Sequence, residues 1–181
     1  MSTHPILQAG KRTYLRHPVS ADAEEFLALR AASEEFHRPW TPAPLPGVVP
    51  NSESFFAQFL AGSKTERQER FLVCRSEDAR ILGSINLSEI VRGSFQSSYV
   101  GYWIGVEFAN QGYMSEALKL AVEYAFETLG LHRLEANIRP ENEPSIALVK
   151  SVGFELEGYS PRYLKIAGEW SDHERWAILN D

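Results

Sequence analysis

Apolar positions along the chain switch between a period of two and a period of 3.6, and the switches mark out the elements. Thr13–Arg16 alternates as a short strand and is closed by His17-Pro18. Ser20 then stands where an N-cap belongs, an acidic first turn follows (Asp22, Glu24, Glu25), and Phe26 and Leu29 recur at helical spacing. Ser52 heads a second helix whose apolar face is Phe55, Phe56, Phe59 and Leu60. Three strand-like runs come next, residues 70–75, 80–90 and 95–106. The turns between them, Glu77-Asp78-Ala79 and Val91-Arg92-Gly93, predict an antiparallel meander. Met114, Ala117, Leu118, Ala121, Tyr124, Ala125 and Leu129 give the main helix its inward stripe, and Gly130 ends it. A strand is predicted over 134–138. Asn142 then caps a short helix with Pro144 in its first turn, Ile146, Val149 and Val152 facing inward, and Gly153 at its end. Two last strands, 163–166 and 174–179, meet through Ala167-Gly168. The order β-α-α-β-β-β-α-β-α-β-β predicts a mixed sheet covered by helices, an α+β (α/β three-layer) domain.

The stretch 38–50 fits neither period. It holds five of the ten prolines and cannot be helix. It reads either as a rigid linker or as a substrate-lining loop, and in the second case Trp40 is the residue of interest. With 181 residues, 44% hydrophobic and 23% charged, the chain fits one globular domain, taken as 1–181 with a core over about 11–180. A net charge of −6 argues against nucleic acid, which needs clustered Lys and Arg, and is compatible with a cationic acceptor such as an amine. No apolar run approaches the roughly 20 residues that span a bilayer, so no membrane partner is expected. The N-terminal stretch lacks the apolar core of a secretory signal. One cysteine, Cys74, sits in the apolar run Phe71-Leu72-Val73 and reads as buried packing in a reducing compartment, which makes cytoplasmic the expectation. The five histidines show no paired ligand spacing, so no metal is expected, and no G-x-S-x-G elbow is present.

The chemistry concentrates in 101–118, GYWIGVEFANQGYMSEAL. An aromatic, β-branched run breaks into a short loop and passes through Gln111-Gly112 into a helix, the arrangement that offers backbone N–H groups and a helix dipole to an anion. Around it lie Arg92-Gly93-Ser94-Phe95, His132-Arg133-Leu134, Pro140-x-Asn142-x-x-Ser145, Gly153-Phe154-x-x-Glu157-Gly158, Tyr163-Leu164 and Gly168-x-Trp170-x-Asp172-His173. In this order the segments resemble the GNAT N-acetyltransferases, in particular the RimJ/RimL-like ribosomal-protein N-terminal acetyltransferases. The resemblance runs from about Thr13 to Ile178.

It implies a GNAT fold with a mixed, largely antiparallel central sheet, helices on both faces, and a V-shaped splay between strands 4 and 5, where a β-bulge opens the fourth strand. Acetyl-CoA would enter that gap. Its pantetheine arm would lie against Trp103, Ile104, Gly105 and Val106, and its pyrophosphate on backbone amides of Asn110, Gln111, Gly112, Tyr113, Met114 and Ser115. N–H groups near Ile104–Gly105 would face the acetyl oxygen. The family's pyrophosphate motif opens with Gln or Arg, where this chain has Ala109.

The resemblance gives Asn142 a pantetheine or substrate contact and places Ser145 near the thioester sulfur as general acid. The alternative for both is helix capping. The tyrosine that serves as acid elsewhere in the family corresponds to Val149. Asn137 stands where some relatives carry a base and can orient a water. Glu107, His132 and the pair Asp172-His173 are further polar candidates, and for His132 and the pair a structural role stands ahead of a catalytic one. The acceptor cleft would be lined by the 38–50 stretch, including Trp40, and by the last hairpin, including Tyr163 and Asp172. The expected reaction is direct transfer of acetyl to a primary amine, a protein N-terminus by resemblance, in a monomer or homodimer. A small amine as acceptor, or a catalytically weak acyl-CoA-binding module, are the alternatives.

Overall fold

The computed structural model describes residues 5–42 and 47–180, so part of the proline-rich stretch lies outside the described residues. Eight strands form one sheet: β1 (Gln8–Ala9), β2 (Thr13–Arg16), β3 (Glu69–Arg75), β4 (Ile81–Val91), β5 (Ser97–Ile104), β6 (Arg133–Ile138), β7 (Glu155–Ile166) and β8 (Glu169–Leu179). Their order is β1-β2-β3-β4-β5-β6-β8-β7, antiparallel throughout except for the parallel pair β5–β6. The helices are α1 (Ala23–Ala32), α2 (Glu34–His37), α3 (Glu53–Ala61), α4 (Tyr113–Glu123) and α5 (Glu143–Val152). This is the expected α+β GNAT architecture, with one short extra strand at the start, so the expected fourth and fifth strands are β5 and β6.

The most deeply buried strands of the sheet are β3 and β4. Phe71, Leu72, Val73 and Cys74 are all fully buried, the continuous apolar run of a strand covered on both faces. Phe26 of α1 packs on Phe56 and Phe59 of α3 and edge-on to Trp103 of β5, while Phe71 meets Tyr124 just beyond α4. Burial pushes the Cys74 thiol up to about 11, so at neutral pH it is an inert packing group.

Several local expectations change. Ser20 does not cap α1. Residues Ser20–Asp22 make a single 3₁₀ turn, and Asp22 accepts from Val19 N–H at 2.8 Å while gripping Arg16 through two 2.7 Å contacts. Ser52 does cap, accepting from Phe55 N–H at 3.2 Å. The main helix gives way at Tyr124–Thr128 to a wider π turn before Gly130. Strand β7 begins eight residues earlier than the hydrophobic pattern suggested (155 against 163). It is an exposed edge whose pairing with β8 slips at Leu156/Gly158 and again at Ser160/Leu164, so no clean alternation survives. Ala167 and Gly168, both with positive φ, close the hairpin as a two-residue turn.

Strands β5 and β6 pair only at Ser97–Arg133, Ser98–Leu134 and Tyr99–Glu135, and beyond Tyr99 they part. The splay therefore exists, but the expected bulge is not on the diverging strand. β5 runs in regular register with β4 from Tyr99 to Ile104, and the irregularity lies in β4 itself, between Ser88 and Val91, where Glu89 takes a positive φ. At the mouth of the gap β4 instead carries Gly83. A Cβ there would lie 2.2 Å from the Trp103 carbonyl oxygen, so the close approach of the two backbones requires glycine.

Candidate active site

Strand alternation decides which groups face the gap. Gly105 N–H donates to Leu82 O at 2.8 Å, making these a hydrogen-bonded pair. Along an antiparallel ladder the next such pairs are Trp103 with Ser84 and Gly101 with Asn86, so the backbones of Tyr102 and Ile104 turn toward the gap. His37 Nε2 lies 2.7 Å from Ile104 O, which confirms that orientation and assigns the proton to Nε2. Burial lowers the His37 pKa, so the ring is neutral at neutral pH. The Tyr102 and Ile104 N–H groups are the donors aimed into the gap, and that of Ile104 lies nearest the expected position. Gly105 N–H is spent on Leu82, so it does not match the expectation of a free donor, and the next N–H, of Val106, is taken by Ser33 Oγ at 3.0 Å.

At the far end of β5, a 3₁₀ turn (Val106–Phe108) leads to the loop before α4. Asn110 and Gly112 both take left-handed conformations, and Gly112 is the N-cap with no side-chain cap bond. The first N–H groups of α4 are therefore without a side-chain acceptor, at the positive end of the helix dipole. A groove of about 560 Å³ runs from this helix end to Trp103 and Ile104. Ala109, Asn110, Gly112, Tyr113, Met114 and Ser115 line one side, Asn142 and Ser145 of the α5 end the other. Nine predicted cofactor residues thus come together. Gly105, Val106 and Gln111 do not join them. Gly105 is packed against Leu29, Val106 is exposed outside the groove, and Gln111, expected there through its backbone amide, is not a lining residue; its side chain donates to Glu107 O at 2.7 Å.

Asn142 and Ser145 both belong to the cap of α5 and both line the groove. Asn142 Oδ1 accepts from Ser145 N–H at 3.3 Å as an N-cap, which leaves the Ser145 hydroxyl outside the cap. That hydroxyl lies 2.6 Å from Tyr102 Oη. Tyr102 was missed in the sequence, and burial pushes its phenol up to about 12, so it stays protonated across the neutral range. The available signal was strand alternation: Trp103 packs toward α1, so its neighbour Tyr102 must face the other side of the sheet. His37 offered no comparable sequence signal.

On the acceptor side, a cavity of about 260 Å³ between the parted strands is lined by Tyr102, Asn137, Ser145 and His173. Asn137 Oδ1 is buried there without a hydrogen-bond partner, an acceptor aimed at nothing in the protein. A further cavity of about 490 Å³ opens toward α1 and α2, and Trp40 lines all three spaces. Tyr163 and Asp172 line none of them. The Tyr163 ring packs near His173. Asp172 accepts from Arg162 N–H at 2.7 Å and from the Tyr159 hydroxyl, fastening the β7–β8 hairpin across its irregularity. Glu107 is paired with Arg80 and His132 sits by the chain end at Asn180 O, both away from the gap. Among the described residues, no three His, Cys, Asp or Glu side chains converge as a metal site, and no helix is long and apolar enough to cross a membrane.

A strand splayed from its parallel neighbour, with an uncapped helix N-terminus at one end of the groove and a hydroxyl pair at the other, is the layout of an acyl-CoA-dependent transferase. Residues 12–155 match the family described as acetyltransferase (GNAT) domain, and the chain belongs to that family. It is 33% identical to the probable N-acetyltransferase YjcK of Bacillus subtilis over 179 residues, 94% of this chain and 96% of that protein. It is 44% identical to the [ribosomal protein uS5]-alanine N-acetyltransferase of Escherichia coli over 102 residues, 56% of this chain and 53% of that one. Among solved structures, Mycobacterium smegmatis RimJ in complex with CoA-disulfide superposes with a TM-score of 0.84 at 29% identity, covering 92% of this chain and 81% of that one. The chain is thus a GNAT N-acetyltransferase.

Proposed function

We propose that the chain transfers the acetyl group of acetyl-CoA directly to the N-terminal α-amine of a protein, with a ribosomal protein as the first candidate. The observation that carries this reading is the meeting of the cofactor groove and the two acceptor-side cavities at one point of the splayed strand, where Tyr102 and Ser145 touch. Resemblance to the uS5-alanine acetyltransferase supports the choice of acceptor.

The residues fit the donor substrate. The α4 N-terminus suits a pyrophosphate, and the unpaired edge of β5 at Tyr102 and Ile104 can accept the amide-rich pantetheine arm as an added strand. The Ile104 N–H is placed to stabilise the oxyanion that develops when the amine attacks the thioester. An α-amine, with a pKa of about 7.7–8.0, is already partly neutral at pH 7, so attack needs no strong base. Ser145 protonates the leaving thiolate, and Asn137 Oδ1 accepts an N–H of the incoming amine.

The test is release of CoA thiol from acetyl-CoA with a panel of N-terminal peptides and small amines. The expected result is turnover on peptides bearing a free α-amine, with acetyl-CoA alone raising Tm because it binds the native state. Preference for small amines would move the acceptor assignment, and a Tm rise without turnover on any acceptor would leave an acyl-CoA-binding module.

A further inference from the structure

Acetyl transfer leaves a proton in the wrong place. When the amine lone pair bonds to the thioester carbon, nitrogen becomes positive. When the C–S bond breaks, sulfur keeps the electron pair as thiolate. One proton must therefore travel from nitrogen to sulfur, across the reacting carbon. Ser145 alone can serve only the sulfur end, and having given up its proton it would be left as an alkoxide, a far stronger base than the thiolate it relieved.

Tyr102 supplies what is missing. It is the one of the two hydroxyl residues that lines the cofactor groove and both acceptor-side cavities, and its Oη is 2.6 Å from Ser145 Oγ. Its next nearest partner is the Ser145 carbonyl at 3.4 Å, so the phenol has no other structural task among the described residues. We propose that Tyr102 Oη and Ser145 Oγ form a two-hydroxyl relay that carries the acceptor's proton to the departing thiolate, an inference that rests on the acetyl-transfer reading above. Ser145 Oγ–H protonates sulfur, Tyr102 Oη–H reprotonates Ser145, and the amine N–H reprotonates Tyr102. The nitrogen loses one proton, the sulfur gains one, and both hydroxyls finish as they began, so no further reactant is needed. Transient charge rests on a phenolate instead of an alkoxide. Asn137 Oδ1, buried and unpartnered in the same cavity, accepts a second N–H and holds the nitrogen on the Tyr102 side.

The charged and titratable groups lining the spaces around Tyr102 are Arg30, Glu34, His37 and Arg38 on the α1–α2 side, Arg139 after β6, His173 on β8, and the Tyr113 phenol at the start of α4. Burial holds His37 below the usual histidine range, so it does not titrate in the alkaline range where a phenol responds.

The relay is tested with Tyr102→Phe, which removes one oxygen, and with fluorinated tyrosine at the same position, which keeps the shape and makes the phenol more acidic. Tyr102→Phe should lower kcat on the order of 10²-fold with little change in KM for acetyl-CoA and an intact acetyl-CoA-induced rise in Tm. Because the two hydroxyls act as one unit, Tyr102→Phe combined with Ser145→Ala should be no slower than the slower single variant, within about twofold. The fluorinated enzyme should show the alkaline limb of its kcat profile moved to lower pH. Positioning of Ser145 alone would leave that limb where it was. Wild-type turnover with an undiminished Tyr102→Phe, losses that multiply in the double variant, or an unmoved alkaline limb would each overturn the relay. Absence of wild-type turnover on every acceptor would overturn the relay and the acetyl-transfer reading together.

Discussion

The two halves of the gap are made of different material. On the proposed cofactor side the candidate groups belong to the backbone: the N–H groups at the start of α4, the Ile104 N–H, and the edge of β5 that pairs with no strand beyond Tyr99. On the acceptor side they are side chains from distant elements, Trp40 after α2, Asn137 on β6, His173 on β8 and Ser145 on α5. A backbone site depends on conformation and tolerates changes of side chain. A side-chain site fixes no conformation and is sensitive to single atoms. The halves should therefore fail differently when mutated, the first in affinity and the second in chemistry.

The largest effect is expected at the seam. Ser145→Ala removes the hydroxyl nearest the leaving group and should cost on the order of 10²-fold in kcat, with KM for acetyl-CoA nearly unchanged. An unchanged kcat in steady-state assays would remove Ser145 from the chemistry and leave it a cap residue. Next comes a conformational break on the cofactor side. Gly112 sits at φ 79°, and an added Cβ would also approach Arg12 Nη2 to 3.1 Å. A β-branched residue there costs about 1–3 kcal/mol of strain, so Gly112→Val should weaken acetyl-CoA binding roughly tenfold by calorimetry, with kcat at saturation largely retained. A loss confined to kcat would mean that the helix end does not hold the substrate.

The same difference explains what could be read from the chain. The cofactor half was legible because conformational demands leave marks: Gly112 at the strand-to-helix turn, a capping asparagine at 142, and an aromatic strand before the loop. Nine of the twelve cofactor residues expected there line one groove. The three that do not, Gly105, Val106 and Gln111, were expected from the family resemblance; the Gly105 and Val106 N–H groups are taken by Leu82 and Ser33. The acceptor half was legible only in part. Tyr163 and Asp172 come from an edge hairpin with two register slips, and no period in the sequence shows which way an irregular strand turns its side chains. Tyr102 lay in plain view beside Trp103, but its partner is 43 residues away, and only the packed fold brings Ser145 to it.

Ala109 sharpens the comparison with a smaller effect. It lines the groove at the position where the family resemblance leads one to expect Gln or Arg. If the phosphates are held mainly by amides, Ala109→Arg adds one solvent-exposed cation and should tighten acetyl-CoA by only about two- to fivefold, the worth of a surface charge pair, and less at high salt. A gain of orders of magnitude in titration calorimetry would show that a side chain dominates this half after all.

The smallest effect belongs to His37, which lines both the cofactor groove and the larger acceptor cavity and fixes the Ile104 carbonyl. Burial lowers its pKa, opposed by the Ile104 carbonyl and assisted by Arg30. The folded chain therefore binds fewer protons at this site than the unfolded one. Stability from this residue is full above its unfolded pKa of about 6.5 and declines as pH falls from there through the lower folded value. His37→Gln keeps an N–H for Ile104 O but cannot titrate. It should retain turnover at neutral pH and lose part of the fall in Tm that the wild type shows between neutral and mildly acidic pH. If turnover collapses at neutral pH while the Tm profile stays as steep as before, the histidine acts on the reacting groups and not as a prop for β5, and the seam between the two halves is itself a side-chain site.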